Sequence, residues 1–300
     1  IAWSMGLHEE AERYYRRAIA AHPDAFRREV LRADWAWMRT DWSAYVMHSR
    51  AAGRLAPRDV RRRPDHHTGS GLLRLGFIEE GRRYLPRVTQ QSIDIGRGQA
   101  PTLRYLQERY SDPREFWSSF ENFDVPASLL NAGRGDDLLL FYDRVFPSPA
   151  AMAEEARGGL WSVSYFLDRA PLIAIALREV GRNREAGQIL ELAERIAVGI
   201  VRRGRVDVGM HWASARIWAV QGKRGAALAA LARVERAGLP HWQTVGSHFQ
   251  PRLIDDPALR SLRDHPSLRR MDAGVQAHLV RERRELQAAL RAERARSSRS

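Results

Sequence analysis

The chain has 300 residues, 44% hydrophobic and 28% charged, a balance typical of folded rather than disordered proteins and long enough for one elongated array or two domains. It contains no cysteine, which excludes disulfides, thiolate metal sites and cysteine nucleophiles and fits a reducing, cytoplasmic setting. The formal net charge of +13 suggests an anionic partner, and no apolar run approaches the roughly 18–20 residues of a membrane-spanning helix.

The chain opens with "MGLHEEAERYYRRAIAAHPD", residues 5–24. Ala11, Tyr14, Tyr15 and Ala18 recur at three- and four-residue steps, the spacing of one helix face. Gly6 precedes the helix as a turn residue, and Glu9 and Glu10 lie in its first turn, where they complement the helix dipole. Pro23 stops the helix.

Residues 26–57 have the length of a helix pair, with Trp35, Ala36 and Met38 in the first helix and Asp41-Trp42 at the turn. Thr40 stands where a turn glycine is expected, Tyr45 where a small residue is expected, and Ala52 and Pro57 follow. "LLRLGFIEEGRRYL" repeats the form, with Gly76 at the turn, Gly81 in the small-residue place and Leu85 in the aromatic one.

Residues 86–160 fit less well but still read as helices. Asp112, Pro113 and Glu115 form a helix-start box before "FWSSF". "PASLLNAGRGDDLLLFYDRVF" turns at Gly133, and Ser148-Pro149 opens another helix. Further on, "RAPLIAIALREVGRNREAGQILELAERI" places Ile173, Ala174 and Leu177 before Gly181, and Ala186, Leu190 and Ala193 after it. Asp168 reads as the N-cap of this pair, with Pro171 in the first turn. In the next pair Ala215 and Trp218 precede Gly222, and Ala227 and Leu231 follow it.

After Gly238, Asp256-Pro257 and His265-Pro266 open two short helices with Leu259, Leu262, Leu268 and Met271 inward. Residues 273–296 form one more helix with a narrow stripe of Val275, Leu279, Leu286 and Leu290, and the final "RSSRS" reads as a disordered tail. Threonine is scarce and alternating apolar/polar runs are short, so strands are not expected.

The spacing of Gly6, Ala11, Tyr15, Ala18 and Pro23 resembles the second helix of a tetratricopeptide repeat, an antiparallel helix pair of about 34 residues. The later pairs resemble the same family. The resemblance implies an all-α, right-handed solenoid with a C-terminal capping helix. Its expected parts are repeats over 1–85, an irregular stretch or insertion over 86–160, repeats over 161–238, a helical cap over 239–296 and a tail over 297–300. It also implies a helix before Ile1. The tail after Gly238 resembles the end of multidomain bacterial regulators, which carry a winged-helix, cyclase or kinase domain upstream. The expected role is then non-catalytic: binding a protein or peptide, or the protein's own upstream effector domain. Mapped through the resemblance, the concave face includes Arg27, Asp34, Trp37 and Met38, then Arg178 and Glu179, then Trp212 and Arg216.

Two other functions are weighed. Nucleic-acid binding would use the arginine-rich surface. Against it, Lys223 is the only lysine among 49 basic residues, a bias that fits a GC-rich coding background better than selection for phosphate contacts. An enzyme would need its site in residues 86–160, yet no nucleophile, metal or phosphate-loop motif appears. His66-His67 would diverge by about 100° on a helix, and "GSGLLRLG", residues 69–76, lacks a phosphate loop's Gly-Lys-Ser/Thr ending. No cofactor or metal is expected.

Overall fold

The structure, a computed structural model, describes residues 8–84, 124–154, 156, 160–202, 208–237 and 252–297. Among them every regular element is helical. The expected caps at Asp112 and Pro113, the turn at Gly6, Leu85 and most of the proposed insertion lie outside the described residues.

Five helices form the N-terminal part: α1 His8–Ala21, α2 Ala25–Met38, α3 Trp42–Leu55, α4 Arg62–Arg74 and α5 Ile78–Arg82. Next come α6 Asp124–Asn131, α7 Gly135–Val145, α8 Pro149–Glu154, α9 Leu160–Glu179, α10 Asn183–Arg202, α11 Val208–Val220 and α12 Arg224–Ala237. Two 3-10 turns, Leu253–Asp255 and Pro257–Leu262, lead into α13, Pro266–Ser297. The most extensive contacts join neighbours in sequence: α2 with α3, α3 with α4, α9 with α10, and α11 with α12. The molecule is therefore built of sequential helix pairs, as the spacing predicts.

Five of the turns share one geometry. Gly76, Gly133, Gly181 and Gly222 all have φ between 70° and 81°. In each, the residue after the glycine donates its N–H to a carbonyl five positions back, as in Arg182 to Leu177 and Lys223 to Trp218, both at 2.8 Å. This is the bond that closes a helix with a left-handed residue. The fifth turn uses Thr40 at φ 57°, and Asp41 donates to the Ala36 carbonyl at 3.0 Å. A β-branched residue in this region is strained. Thr40 keeps the glycine's place in the sequence and also its backbone.

The small residues after the turns are interior. Ala186, Ala193 and Ala227 are fully buried. At Gly81 a Cβ would lie 3.1 Å from the Gly69 carbonyl oxygen, and at Gly71 it would meet Val46 at 2.6 Å. Gly69 and Gly71 of "GSGLLRLG" thus sit inside α4 and let it approach its neighbours, and Gly76 makes the turn that follows it. They belong to a helix and its turn, not to a phosphate-binding loop.

Three expectations change. Asp168 is not a cap, because α9 begins at Leu160 and Pro171 lies inside it. Phe166 and Leu167, just ahead of Asp168, are buried in the core and carry the helix past it. Residues 266–297 form one helix rather than two, because Asp272 is buried and bonds outside the helix, accepting from Leu253 N at 2.7 Å. Tyr14 is 69% exposed, whereas Tyr15 turns inward and stacks on Trp35 at 5.1 Å.

The core has two parts that meet at α11. Met210, Ala213 and Ile217 join the residues under α6–α10. Trp212, Ala215 and Ala219 join a second group with α2–α4, α12, the 3-10 turns and α13. The two series are offset by two residues, so they lie on opposite faces of one helix.

That second group explains where α13 goes. Leu268, Met271, Val275, Leu279, Glu282 and Leu286 are all buried, at three- and four-residue steps. The expected stripe is present, but it covers α3 of the N-terminal part as well as the last pair. Glu282 accepts from Ser43 N at 2.9 Å, the His278 ring Nε2 meets the Thr40 carbonyl at 2.9 Å, and Arg283 donates to the Leu75 carbonyl at 2.5 Å. Glu293 pairs with Arg50 and Arg54. This helix therefore fastens α3 and the turn after α4 to α12 and the first 3-10 turn.

Candidate functional site

Each residue of the expected concave face has a definite place. Arg27 is exposed at the start of α2, while Asp34, Trp37 and Met38 are half-buried farther along it. Arg178 and Glu179 are exposed at the end of α9, and Arg178 donates to the Val220 carbonyl at 2.5 Å. It thereby satisfies a carbonyl at the C-terminus of α11, where a cation also suits the dipole.

Trp212 and Arg216 are placed otherwise than expected. They are 3% and 4% exposed and offer no groove to a partner. The helix-A positions that would face a partner in an open array are covered here, because α11 is packed by α9, α10, α12 and the second 3-10 turn.

Arg216 instead centres a buried charge cluster. Its Nη1 pairs with the Asp168 carboxylate and also donates to the Asp168 carbonyl at 3.0 Å. Pro171, three residues on, has no N–H to give the neighbouring Leu167 carbonyl. Arg216 Nε lies 2.8 Å from Asp256 Oδ2, close enough for an ion pair but off the axis of a directed hydrogen bond. Asp256 Oδ1 accepts from Ala258 N at 2.9 Å and so caps the 3-10 turn that begins at Pro257. One arginine thus joins α9, α11 and the Asp-Pro turn of the tail. Burial pushes the Asp168 carboxyl up, further than Arg216 pulls it down. Burial opposes the charge on Arg216 too, but Asp168 and Asp256 outweigh it, and its guanidinium stays charged. The cluster holds one guanidinium between two carboxylates in the interior and fixes the position of all three elements.

A second hub surrounds Glu194 of α10. Trp218 Nε1 donates to it at 2.8 Å, Gln221 Nε2 at 3.0 Å and Lys223 Nζ at 2.6 Å. The chain's only lysine is therefore engaged in tying one pair to the next. Burial works to raise the Glu194 carboxyl, but the bonds from Lys223, Trp218 and Gln221 prevail and lower it.

His66 and His67 sit on α4, their ring centroids 6.3 Å apart, and His67 stacks on Tyr45 at 5.8 Å. Among the described residues no group of three or more histidines and acids could hold a metal. No described helix is long and apolar enough to cross a membrane. His241 and His248 lie outside the described residues.

Sequence reasoning took Asp168 and Asp256 both as caps and did not connect them to Arg216. No local signal connects them; Pro171 marks only that the Leu167 carbonyl, four residues back, lacks its helix donor.

No protein-family model, curated protein or solved structure matches the chain.

Proposed function

We propose that this chain is a tetratricopeptide-like helical array that holds a protein partner and performs no chemistry of its own. Its context is the C-terminal part of a larger bacterial regulator. The observation that carries the reading is the set of five turns at Thr40, Gly76, Gly133, Gly181 and Gly222, each with one backbone geometry. A repeated unit with a fixed left-handed turn and small residues at the helix contact is how stacked pairs extend a binding surface. The right-handed solenoid belongs to this proposal.

With Trp212 and Arg216 interior, the partner face rests on α2. Arg27 supplies a guanidinium fork for a carboxylate and Trp37 an apolar anchor, with Asp34 and Met38 alongside. The fitting partner is an extended or helical segment carrying an acidic residue and an apolar one. Selection of displayed peptides on the immobilised chain tests this. Selected peptides should lose about tenfold or more in affinity with Arg27→Glu and with Trp37→Ala, while Arg184→Ala binds as wild type and circular dichroism is unchanged in all three. Equal binding by the α2 variants removes that face. A library that yields no binder tighter than about 1 mM removes the interaction reading.

A further inference from the structure

The charges on α13 are sorted by direction. Its acids Asp272, Glu282 and Glu293 bond inward, to Leu253 N, to Ser43 N and to Arg50 and Arg54. Arg269, Arg270 and Arg283 also have partners, in Asp264, Glu235 and the Leu75 carbonyl. Arg284, Arg291, Arg294 and Arg296 are exposed and bond to nothing among the described residues, and Arg281 meets only the neighbouring His278 ring. Glu285 is the one exposed acid on this stretch. Arg281, Arg284 and Arg291 share the face opposite the buried stripe with Ala277, Ala288 and Ala295. From Arg281 to Arg294 the helix runs about 20 Å.

From this sorting we infer that the outward face of α13 binds the phosphate backbone of double-stranded DNA. A row of arginines with Glu285 as its one exposed counter-charge is the electrostatic complement of a duplex, which carries one negative charge per ~1.7 Å of its axis. The alanines on the same face leave room for the backbone to approach. Other occupants fit less well. A single strand would require aromatic platforms for its bases, and this face has none. An acidic protein would require apolar anchors at the centre of its interface. A membrane would require the apolar stripe, which is already buried against α3 and α12. The surface is separate from the α2 face, so the two proposals stand or fall apart.

The test is fluorescence anisotropy with a labelled duplex of about 25 base pairs, titrated with the full chain from ~50 to ~200 mM salt. Wild type should bind with a steep salt dependence. The variant Arg284→Ala/Arg291→Ala/Arg294→Ala should weaken binding about tenfold or more at the lowest salt and flatten the log–log slope by about 2.7. These side chains have no partner among the described residues, so its thermal midpoint should match wild type. The variant Arg13→Ala/Arg17→Ala/Arg184→Ala removes equal charge from exposed positions elsewhere and should bind nearly as wild type. The inference is overturned by no binding at ~50 mM salt, by an equal loss in both variants, by tighter binding of an RNA duplex, or by equal displacement with polyglutamate at matched charge.

Discussion

Thr40 shows what a single residue is asked to do in this molecule. It stands at φ 57°, fully buried, in a position that four other turns give to glycine. Its carbonyl is held by His278 and its hydroxyl donates to the Arg39 carbonyl at 2.6 Å. Strain of this kind persists where surroundings over-determine the conformation, and here the surroundings are the docked C-terminal helix. The glycine turns separate two costs. At Gly222 a Cβ would touch nothing within 4 Å, so Gly222→Ala pays only for the left-handed backbone, about 1–2 kcal/mol. At Gly76 the same Cβ would also fall 2.1 Å from the Arg283 guanidinium and displace it from the Leu75 carbonyl. Gly76→Ala should therefore lower the urea midpoint more than Gly222→Ala. Equal shifts would mean that the Arg283 contact contributes nothing to holding α13 in place.

At the scale of elements, α11 decides how the molecule is joined. Its two apolar faces enter different halves of the core, and Arg216 lies between them with Asp168 on one side and Asp256 on the other. Breaking a buried ion pair by removing one partner costs far more than the pair contributes as a whole. Arg216→Met strands two carboxylates and should cost about 3–5 kcal/mol by urea unfolding. Asp256→Asn keeps an oxygen to accept from Ala258 N and leaves Asp168 against Arg216, so it should cost distinctly less. A neutral Arg216→Met would show that water reaches the cluster. The helix pairs and their turns were legible in sequence because glycine, alanine and proline report backbone geometry directly, as at Gly181, Ala186 and Gly222. The place of α11 was not. "VGMHWASARIWAV" mixes small, polar and aromatic residues around its whole circumference, and nothing local says that it is covered on every side. The same limit applies to Asp168 and Asp256, whose partner is 48 residues away in one case and 40 in the other. A cap is a local pattern; a buried ion pair is not.

At the scale of the whole molecule, the contacts that join distant parts of the chain respond to pH in opposite directions. Glu194, linking α10 to the α11–α12 turn, has a lowered carboxyl, so its contribution is present above the unfolded value of about 4.3 and is lost as pH falls below it. Glu282, linking α13 to α3, has a raised one: burial leads, Asp41 and Glu285 add to it, and Ser43 N–H and His278 oppose it. The native state then holds its proton more tightly than the unfolded chain, so stability falls as pH rises from the unfolded value through the folded one. Glutamine at each position keeps an acceptor and removes the titration. Glu194→Gln should be less stable than wild type at pH 7, with the gap closing by about pH 3. Glu282→Gln should match or exceed wild type at pH 7, with its advantage closing as pH falls through the carboxylate range, because protonated Glu282 and glutamine are then equivalent. Thermal melts of both variants and wild type across that range read the two slopes directly. If Glu282→Gln instead loses stability most at neutral pH, the ionised carboxylate at the start of α3 is stabilising, and α13 is held to the N-terminal helices by charge as well as by its apolar stripe.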